Sequence, residues 1–344
     1  MLLVTIIISL LLILCIFLSC LRPNAKIIYM NFSALTMIIL YSFRSYALGL
    51  NDVEDIYMYR YLRLINIPFE DIFSQNDAIF GSVAWSFWNK IAQFILQDFR
   101  FFIFLNSLVV VVAVWLYIYK YSERYFLGTV MFVCIYFSYS IYLLRHFFAF
   151  AIIMIFLLFE KNKIIKYISM LIAVSIHSSS VVFFIFYFIS KRINSKRIIV
   201  FLAGSVMSAV LLFGNTITDF LVQNLFTAYY MNMESGVYKT GNLSLFLFSF
   251  FLVLSTPLFF KKEFNDFDKL FIFSLPVLVG MIVFEDIYRL SFYLSAPYTI
   301  LLYENTSCIP IRYKSIIESF FILISIVFFI YMGVNNNVLP YCLL

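Results

Sequence analysis

The chain has 344 residues, of which 64% are hydrophobic and only 12% are charged. No soluble globular domain has that balance, so we predict an all-α polytopic integral membrane protein with residues 1–344 in a single membrane domain. The net charge of +6 does not indicate a nucleic-acid partner, because the basic residues fall in short loops between apolar stretches, where they set topology and contact anionic headgroups.

The first 21 residues are apolar but lack a basic start and a small-residue cleavage site, so they are predicted to be a retained membrane span. The five cysteines show no paired or C-x-x-C spacing, which predicts neither a disulfide framework nor a zinc site. These cysteines are Cys15, Cys20, Cys134, Cys308 and Cys342.

Twelve transmembrane or partly re-entrant helices are predicted. They begin near residues 2, 27, 99, 126, 147, 167, 178, 198, 243, 270, 289 and 315. This assignment segregates the 24 Lys and Arg residues, because 16 of them lie in loops on one side, which the positive-inside rule makes cytoplasmic. The other eight face outward with both termini, and they are Arg44, Arg60, Arg63, Lys90, Arg100, Arg145, Lys239 and Arg289.

Three outward turns join unusually short arms. One is at Arg145 and His146, one is near His177 among serines, and one runs from Glu285 to Arg289. About 12 residues of helix rise only about 18 Å, against a hydrocarbon core of about 30 Å. Polar backbone at such depth must line a wet cavity or pack in protein. We therefore predict an outward-facing cavity floored by Arg145, His177 and Arg289, with tilted spans or a thinned bilayer as the alternative.

Two outward loops are long, at residues 44–98 and 214–242. The first contains the acidic, tyrosine-rich stretch NDVEDIYMYRYLR and then a segment with Trp85, Trp88, Ile91 and Ile95 at helical spacing. That pattern predicts an amphipathic helix lying in the membrane interface.

Guanidinium groups suit diphosphates because they present a rigid fork of donors and stay charged. Arg44, Arg145 and Arg289 are therefore the candidate diphosphate-binding residues, with snorkelling or ion pairing as the structural alternative.

His177 is a candidate for binding a ligand or accepting a proton, or else it stabilises its turn. His146 points about 100° away from Arg145 on a helix and is not expected to share its task. A metal site on the two histidines is disfavoured, because the sequence places no third ligand near them.

The carboxylates offer further candidates for activating a sugar hydroxyl, although solvated loop residues and a structural ion pair explain them as well. These candidates are Asp52, Asp55, Glu285 and Asp286, with Glu54 beside the first two. Tyrosines in the outward loops could stack on sugar faces, or else lie in the interface. They are Tyr57, Tyr59, Tyr61 and Tyr229.

Several motifs occur in one order along nearly the whole chain. They are Arg44, Gly49, Asp52 and Tyr57, then R-H-F-F-A-F-A from Arg145, then I-H-S-S-S from Ile176, and finally Arg289 before an apolar span. Together they resemble the EpsG-like, Wzy-type O-antigen and surface polysaccharide polymerases. That family usually has one aspartate a helical turn before its tyrosine, whereas here both Asp52 and Asp55 precede Tyr57.

The resemblance implies a metal-independent glycosyltransferase of the bacterial inner membrane with its active site facing the periplasm and no cofactor. It would join repeat units carried on undecaprenyl diphosphate, with Arg145 and Arg289 holding the donor diphosphate and Arg44, Asp52 and His177 lining the pocket. Expected partners are that lipid-linked oligosaccharide, the bilayer, a chain-length regulator and a flippase. Three alternatives stay open: a lipid-linked oligosaccharide flippase or transporter, a membrane acyltransferase that modifies surface glycans, and a non-catalytic assembly subunit.

Overall fold

Helices make up most of the chain that the structure describes, and they begin where the apolar pattern predicts them. The computed structural model describes residues 26–42, 58, 61–72, 83–224, 242–280 and 288–335. A helix starts within four residues of every predicted span from residue 27 onward, and the predicted span at residue 2 lies outside the described residues. No strand occurs in the described ranges. The all-α prediction therefore holds for this part of the chain.

The chain divides into two compact units. Unit 1 contains Met1–Val181 with Glu318–Leu344, and unit 2 contains Val182–Ile317. The helices before the first boundary are α1 (Lys26–Ser42), α2 (Val83–Ile95), α3 (Phe99–Tyr121), α4 (Tyr125–Phe132), α5 (Ser138–Tyr142), α6 (Leu144–Leu158) and α7 (Lys163–Ile176). The later helices are α8 (Val181–Arg192), α9 (Lys196–Asn224), α10 (Asn242–Leu254), α11 (Thr256–Phe260), α12 (Asp266–Val279), α13 (Tyr288–Ile300), α14 (Leu302–Asn305) and α15 (Ile311–Asn335).

Unit 1 is built around α3 and α6. Helix α3 packs against α1 and α6, and α6 packs against α7. The C-terminal ends of α3 and α6 coincide, because Lys120 Nζ donates to Leu158 O and Tyr121 Oη donates to Leu157 O at 2.8 Å. These side chains satisfy carbonyls that every helix leaves open at its C-terminus. The parallel run of α3 and α6 therefore places Phe99 and Leu144, their first residues, at the opposite end of the unit.

A pair distant in sequence links the α3–α4 loop to the last helix within unit 1. Arg124 Nη1 donates to Glu318 Oε1 at 2.6 Å, and both side chains keep partial exposure, 35% and 21%. The core of unit 1 is strongly aromatic, and the Tyr136 and Phe150 rings, for example, lie 5.8 Å apart. The many Phe and Tyr residues of this chain thus include a packed core, in addition to any role at the membrane surface.

Unit 2 contains an antiparallel helix pair. Helix α12 packs against α13, and Phe271 near the start of α12 meets Tyr298 near the end of α13 with ring centroids 4.2 Å apart. Tyr298 Oη also donates to Leu254 O at 3.1 Å, where α10 ends. Helices α12 and α13 have only 14 and 13 residues. They are the short arms predicted on either side of the turn at Glu285, and the turn itself lies outside the described residues.

The helix interruption predicted near His177 is also observed. Helix α7 ends at Ile176, His177 has extended backbone angles (φ −143°, ψ 104°), a 3-10 turn covers Ser178–Ser180, and α8 starts at Val181. Residues 167–189 are therefore not one continuous span. Helix α6 after Arg145 has 15 residues, which again matches the prediction of a short arm.

At one end of unit 2, lysines form hydrogen bonds and ion pairs with other protein groups. Lys261 Nζ donates to both carboxylate oxygens of Asp268, at 2.7 and 2.8 Å, and to Asn305 Oδ1 at 2.6 Å. Lys196 Nζ donates to Leu258 O at 3.2 Å and to Lys261 O at 2.7 Å, at the C-terminus of α11. We call this region the lysine end of unit 2. Its residues have structural roles beyond the topology signal read from the sequence.

Two more lysines of the lysine end converge on one carboxylate. Asp266 accepts from Lys191 Nζ at 2.5 Å and from Lys269 Nζ at 3.1 Å, while Lys269 also donates to Ser190 O at 2.9 Å. Burial raises the pKa of Asp266, but the hydrogen bonds and charges of the two lysines outweigh it and hold that pKa below its usual value. The C-terminus of α8 is thereby fixed to the start of α12.

Three helices are long and apolar enough to cross a membrane: Phe99–Tyr121, Lys196–Phe213 and Ile311–Tyr331. The second and third bury only 11% and 17% of their most apolar stretches inside the protein, against 56% for the first. Water-exposed proteins rarely display such large apolar surfaces. The exposed faces of α9 and α15 therefore fit contact with lipid, and the number of crossings stays a prediction.

Candidate active site

The backbone departs from helical geometry at Leu143, the residue that precedes the first turn of α6. A π-helix covers Val133–Phe137, and Leu143 then has φ −97° and ψ 53°. In a continued α-helix Ser140 O would accept from residue 144, but here it accepts from Tyr41 Oη of α1. The first α6 bond runs from Phe147 N–H to Leu143 O at 2.9 Å. A new helix N-terminus is thus created inside a buried apolar stretch.

This N-terminus has no side-chain cap. Leu143 occupies the capping position and offers no acceptor. The first N–H groups of a helix lack intrahelical partners, and they carry the positive end of the helix dipole. Leu144 and Arg145 are the first two residues of α6, so the start of this helix combines a partial positive charge with a guanidinium group.

Arg145 is partly buried, and its Nε is shielded from solvent. Among the described residues no acceptor pairs with Arg145 Nε and no carboxylate forms an ion pair with the side chain. A shielded donor without an acceptor is costly, and a guanidinium beside a helix N-terminus adds like-charge repulsion. An anionic ligand would relieve both costs, which is what the sequence predicted for this arginine.

His146 and His177 are in contact. Their ring centroids lie 5.3 Å apart with the planes at 84°, and Ser179 Oγ lies 3.0 Å from His177 Nδ1. His146 is almost fully buried, at 2% exposure, whereas His177 is partly exposed. Because His146 follows Arg145 directly, this contact brings the start of α6 and the end of α7 together. The sequence predicted Arg145 and His177 in one site and gave His146 no place in it.

Helix α1 ends at the same place. Its Tyr41 reaches Ser140 as described above, and Ser42 Oγ lies 3.2 Å from Ser107 Oγ of α3. Within the described part of the chain, the fully buried Ser180 Oγ has no hydrogen-bond partner. We call this convergence of α1, α6 and α7 the Arg145 end of unit 1. It combines hydroxyl groups, two imidazoles and one guanidinium.

The predicted amphipathic helix is present as α2, but its tryptophans pack against protein. Trp85 is 2% exposed and contacts Phe102 and Phe148, with centroids 5.5 and 5.9 Å away. Trp88 contacts Phe148 with ring centroids 4.9 Å apart and donates from Nε1 to Asn106 Oδ1 at 3.2 Å. Phe148 is one turn beyond Arg145. The tryptophan face therefore covers the Arg145 end, and α2 exposes other apolar side chains, Phe94 and Ile95.

Tyr61 does not have the predicted sugar-stacking role. It is fully buried between Phe99 and Phe102, and its hydroxyl lies 3.2 Å from both Leu96 O and Asp98 O. Burial, helped by the charge of Asp98, raises the pKa of Tyr61 to about 12. Tyr61 is thus a core residue that holds the start of α3. Alternation of tyrosines in the loop sequence gave no sign of which ring is buried.

Arg289 lies in the first described turn of α13 and is partly buried. It belongs to unit 2, where α12 and α13 form the antiparallel pair. The remaining candidates, Arg44, Asp52, Asp55, Tyr57, Tyr59, Tyr229, Glu285 and Asp286, lie outside the described residues. In the described ranges, no group of three or more His, Cys, Asp and Glu side chains has a metal-site arrangement.

Comparison with known proteins decides the family. The model of the EpsG family matches residues 27–343, nearly the whole chain. The chain belongs to the EpsG family. EpsG-like proteins are related to the Wzy-type polymerases, so the resemblance noted in the sequence is confirmed, and the family-level function is membrane polysaccharide biosynthesis. No curated protein and no solved structure matches this EpsG-family chain.

Proposed function

We propose that this EpsG-family protein is an O-antigen or surface polysaccharide polymerase. It is a glycosyltransferase that joins undecaprenyl-diphosphate-linked repeat units at the periplasmic face of the bacterial inner membrane. The observation that carries the proposal is Arg145, which stands at an uncapped helix N-terminus with a shielded Nε and no acceptor in the described residues. Helix N-termini and guanidinium groups both favour phosphate ligands.

The reaction follows from these groups. An acceptor hydroxyl oxygen attacks the anomeric carbon of the donor sugar and forms the new glycosidic bond. The bond between that carbon and the diphosphate oxygen breaks, so the leaving undecaprenyl diphosphate gains negative charge. Arg145 and Arg289 stabilise that charge, with Arg44 in the same role, and groups placed in this way contribute several kcal/mol to the transition state. The acceptor proton goes to a base.

His177 is the candidate base that the structure describes. It is partly exposed, and Ser179 Oγ lies 3.0 Å from its Nδ1. We propose the tautomer in which Nδ1–H donates to that hydroxyl, because Nε2 is then unprotonated and can act as the base. Asp52, Asp55, Glu285 and Asp286 are the carboxylate alternatives, and Tyr57, Tyr59 and Tyr229 are proposed to contact sugars. The base and the sugar contacts rest on the sequence pattern for all of these residues except His177.

The proposed orientation of unit 1 in the membrane follows from the distribution of its lysines. The end of unit 1 opposite Arg145 carries Lys120, the α6–α7 loop at that end carries Lys161, and α7 starts there with Lys163. Lysine-rich short loops remain cytoplasmic, which supports a periplasmic position for the Arg145 end. The lysines at the lysine end of unit 2 are bonded to carboxylates and carbonyls, so they have a structural role and do not favour the transporter alternative.

The test compares arginines at matched helix positions. Arg145→Ala and Arg289→Ala are expressed in a strain lacking the native chain, with Arg100→Ala as control. Arg100 is likewise the second residue of its helix, α3, but it is exposed and its N–H is capped by Asp98 at 2.7 Å. Surface glycans are analysed by mass, and membrane protein levels are measured in parallel. We expect single repeat units with both test variants and full-length polymer with the control.

Removing one donor to a developing anion costs about 10²–10³ in rate, which is enough to abolish long polymer. Purified protein in vesicles, supplied with lipid-linked repeat units, separates polymerisation from transport. Full-length polymer from Arg145→Ala cells at normal protein level would refute the role of Arg145. Movement of repeat units across the vesicle membrane without joining would favour the flippase alternative.

A further inference from the structure

Helix α2 has the reverse of the polarity pattern of a water-exposed helix. Its polar side chains Ser86, Asn89 and Gln93 are 4%, 3% and 5% exposed. Every exposed residue within Val83–Ile95 is apolar, and these residues are Val83, Phe87, Phe94 and Ile95. A surface helix of a soluble protein instead places its apolar face on the core and its polar face in water. The exposed face of α2 therefore fits an apolar environment.

The rotation of α2 about its own axis is fixed by contacts on its other faces. Gln93 Nε2 donates to Tyr61 O at 2.6 Å, and Lys90 Nζ donates to Ile65 O at 3.3 Å. These bonds join α2 to the segment that precedes it. The contacts of the tryptophan face described above join it to α3 and α6. The apolar face cannot turn inward without breaking these contacts, so its exposure is part of the packed structure.

The exposed apolar residues of α2 lead along the chain into those of α3. Leu96, which is 51% exposed, lies three residues before Phe99, the first residue of α3. Helix α3 has 23 residues and rises about 33 Å, enough to cross a hydrocarbon core of about 30 Å. It carries exposed apolar side chains at every fourth position, which are Phe104, Leu108, Val112 and Leu116. The end of α2 therefore lies where a lipid-facing row of a membrane span begins.

We propose that α2 lies in the bilayer leaflet at the start of α3, with Phe87, Phe94, Ile95 and Leu96 in the acyl-chain region. The bilayer is the occupant that this face fits, because the same kind of apolar surface continues along α3 over the length of a membrane span. Amphipathic helices bind membrane interfaces in this way, with the apolar face buried at the boundary of headgroups and acyl chains. Lipid thus contacts the face that is turned away from the tryptophans. Helix α2 thereby joins the Arg145 end to the bilayer, and this inference goes beyond the proposed function.

Spin labels distinguish the environments that could surround this face. Single cysteines replace Phe94, Gln97 or Leu108 in a chain whose five own cysteines are changed to alanine, and the labelled proteins are reconstituted in phosphatidylcholine vesicles. Electron paramagnetic resonance measures collisions with oxygen, which concentrates in hydrocarbon, and with a water-soluble nickel chelate. Gln97 is the matched control for water, because it is exposed and lies three residues after Phe94. Leu108 represents the lipid-facing row of α3, and Ile95→Cys replaces Phe94→Cys if that variant does not accumulate.

We expect the label at Phe94 to collide with oxygen as often as the label at Leu108, and severalfold less often with the nickel chelate than the label at Gln97. Nickel collisions as frequent at Phe94 as at Gln97 would overturn the proposal, because the face would then lie in water. Infrequent collisions with both reagents would overturn it in favour of a protein partner or a second copy of the chain. None of these measurements uses polymerisation, so a failure of the proposed function would leave their outcomes unchanged.

Discussion

Removal of the Lys261 ammonium should destabilise unit 2 more than removal of any exposed lysine. Asp268 is fully buried, and Lys261 supplies two of its short contacts, at 2.7 and 2.8 Å. Breaking one partner of a buried pair typically costs about 3–5 kcal/mol, because the other charge stays in a poorly solvated place. Asp268 keeps the N–H of Asn265 at 2.9 Å and a favourable place near the start of α12. We therefore expect about 3 kcal/mol for Lys261→Met.

Removing the Asp268 carboxylate should cost less stability than removing the Lys261 ammonium. Asp268→Asn leaves Lys261, which is 14% exposed and still bonded to Asn305 Oδ1 at 2.6 Å. Leaving a partly hydrated ammonium without its carboxylate costs less stability than leaving a buried carboxylate without its ammonium. We therefore expect Asp268→Asn to lower stability by about 1–2 kcal/mol. The double variant contains no unpaired charge, so its loss should fall below the sum of the single losses by about 1–3 kcal/mol.

The assay is unfolding in mixed micelles with increasing SDS. Far-UV circular dichroism follows the whole protein, and labelling of Cys308 follows unit 2, because its thiol donates to Pro257 O at 3.2 Å beside the lysine end. The other cysteines are replaced for this purpose. Lys262→Met is the matched control, being the neighbouring, exposed lysine. Equal stability of the Lys261 and Lys262 variants, or losses that simply add in the double variant, would refute the reasoning.

Two further predictions concern unit 1 and the pH response. Trp88→Phe keeps an aromatic contact with Phe148 but loses the indole bond to Asn106, so we expect about 1 kcal/mol of lost stability in the same SDS assay. An unchanged unfolding transition would contradict this prediction. Asp266 has a lowered pKa, so its stabilisation is complete above its unfolded value, about 3.9, and disappears as the pH falls through the lower folded value. The stability difference between wild type and Asp266→Asn should accordingly be constant from pH 8 to 5 and shrink toward pH 3, and a difference independent of pH would contradict the assignment.

The sequence predicted the helices well because two strong signals agree. Long apolar stretches give the span positions, and the loops between them carry the lysines. The interruption at His177 was also predictable, since a continuous span would have put KRINSKR on the wrong side. Polar residues in the loops thus locate breaks in an apolar chain. The same signals predicted the short helical arms at the Arg145 turn and at the turn from Glu285 to Arg289.

Packing details were not predictable from the same signals. The π-helix at Val133–Phe137 occurs among apolar residues, so no change in polarity marks it. The break at Leu143, by contrast, lies two residues before the turn predicted at Arg145. Tyr61 and Trp85 look like loop aromatics, and their burial depends on partners in α3 and α6. The contact of His146 with His177 depends on how α6 meets α7. The rotation of α6 relative to α7 determines whether these two rings meet, and that rotation cannot be inferred from a single sequence.

The start of α6 shows why local destabilisation can indicate a binding site. A serine or aspartate before the first turn would satisfy the open N–H groups and typically add about 1 kcal/mol of stability. Leu143 occupies that position instead, and Arg145 adds a full positive charge where the helix dipole is already positive. An acidic cap would compete with an anionic ligand for the same donors, whereas leucine leaves them available. A diphosphate at this place reverses the sign of each unfavourable interaction, so the features that weaken the empty helix end would strengthen the complex.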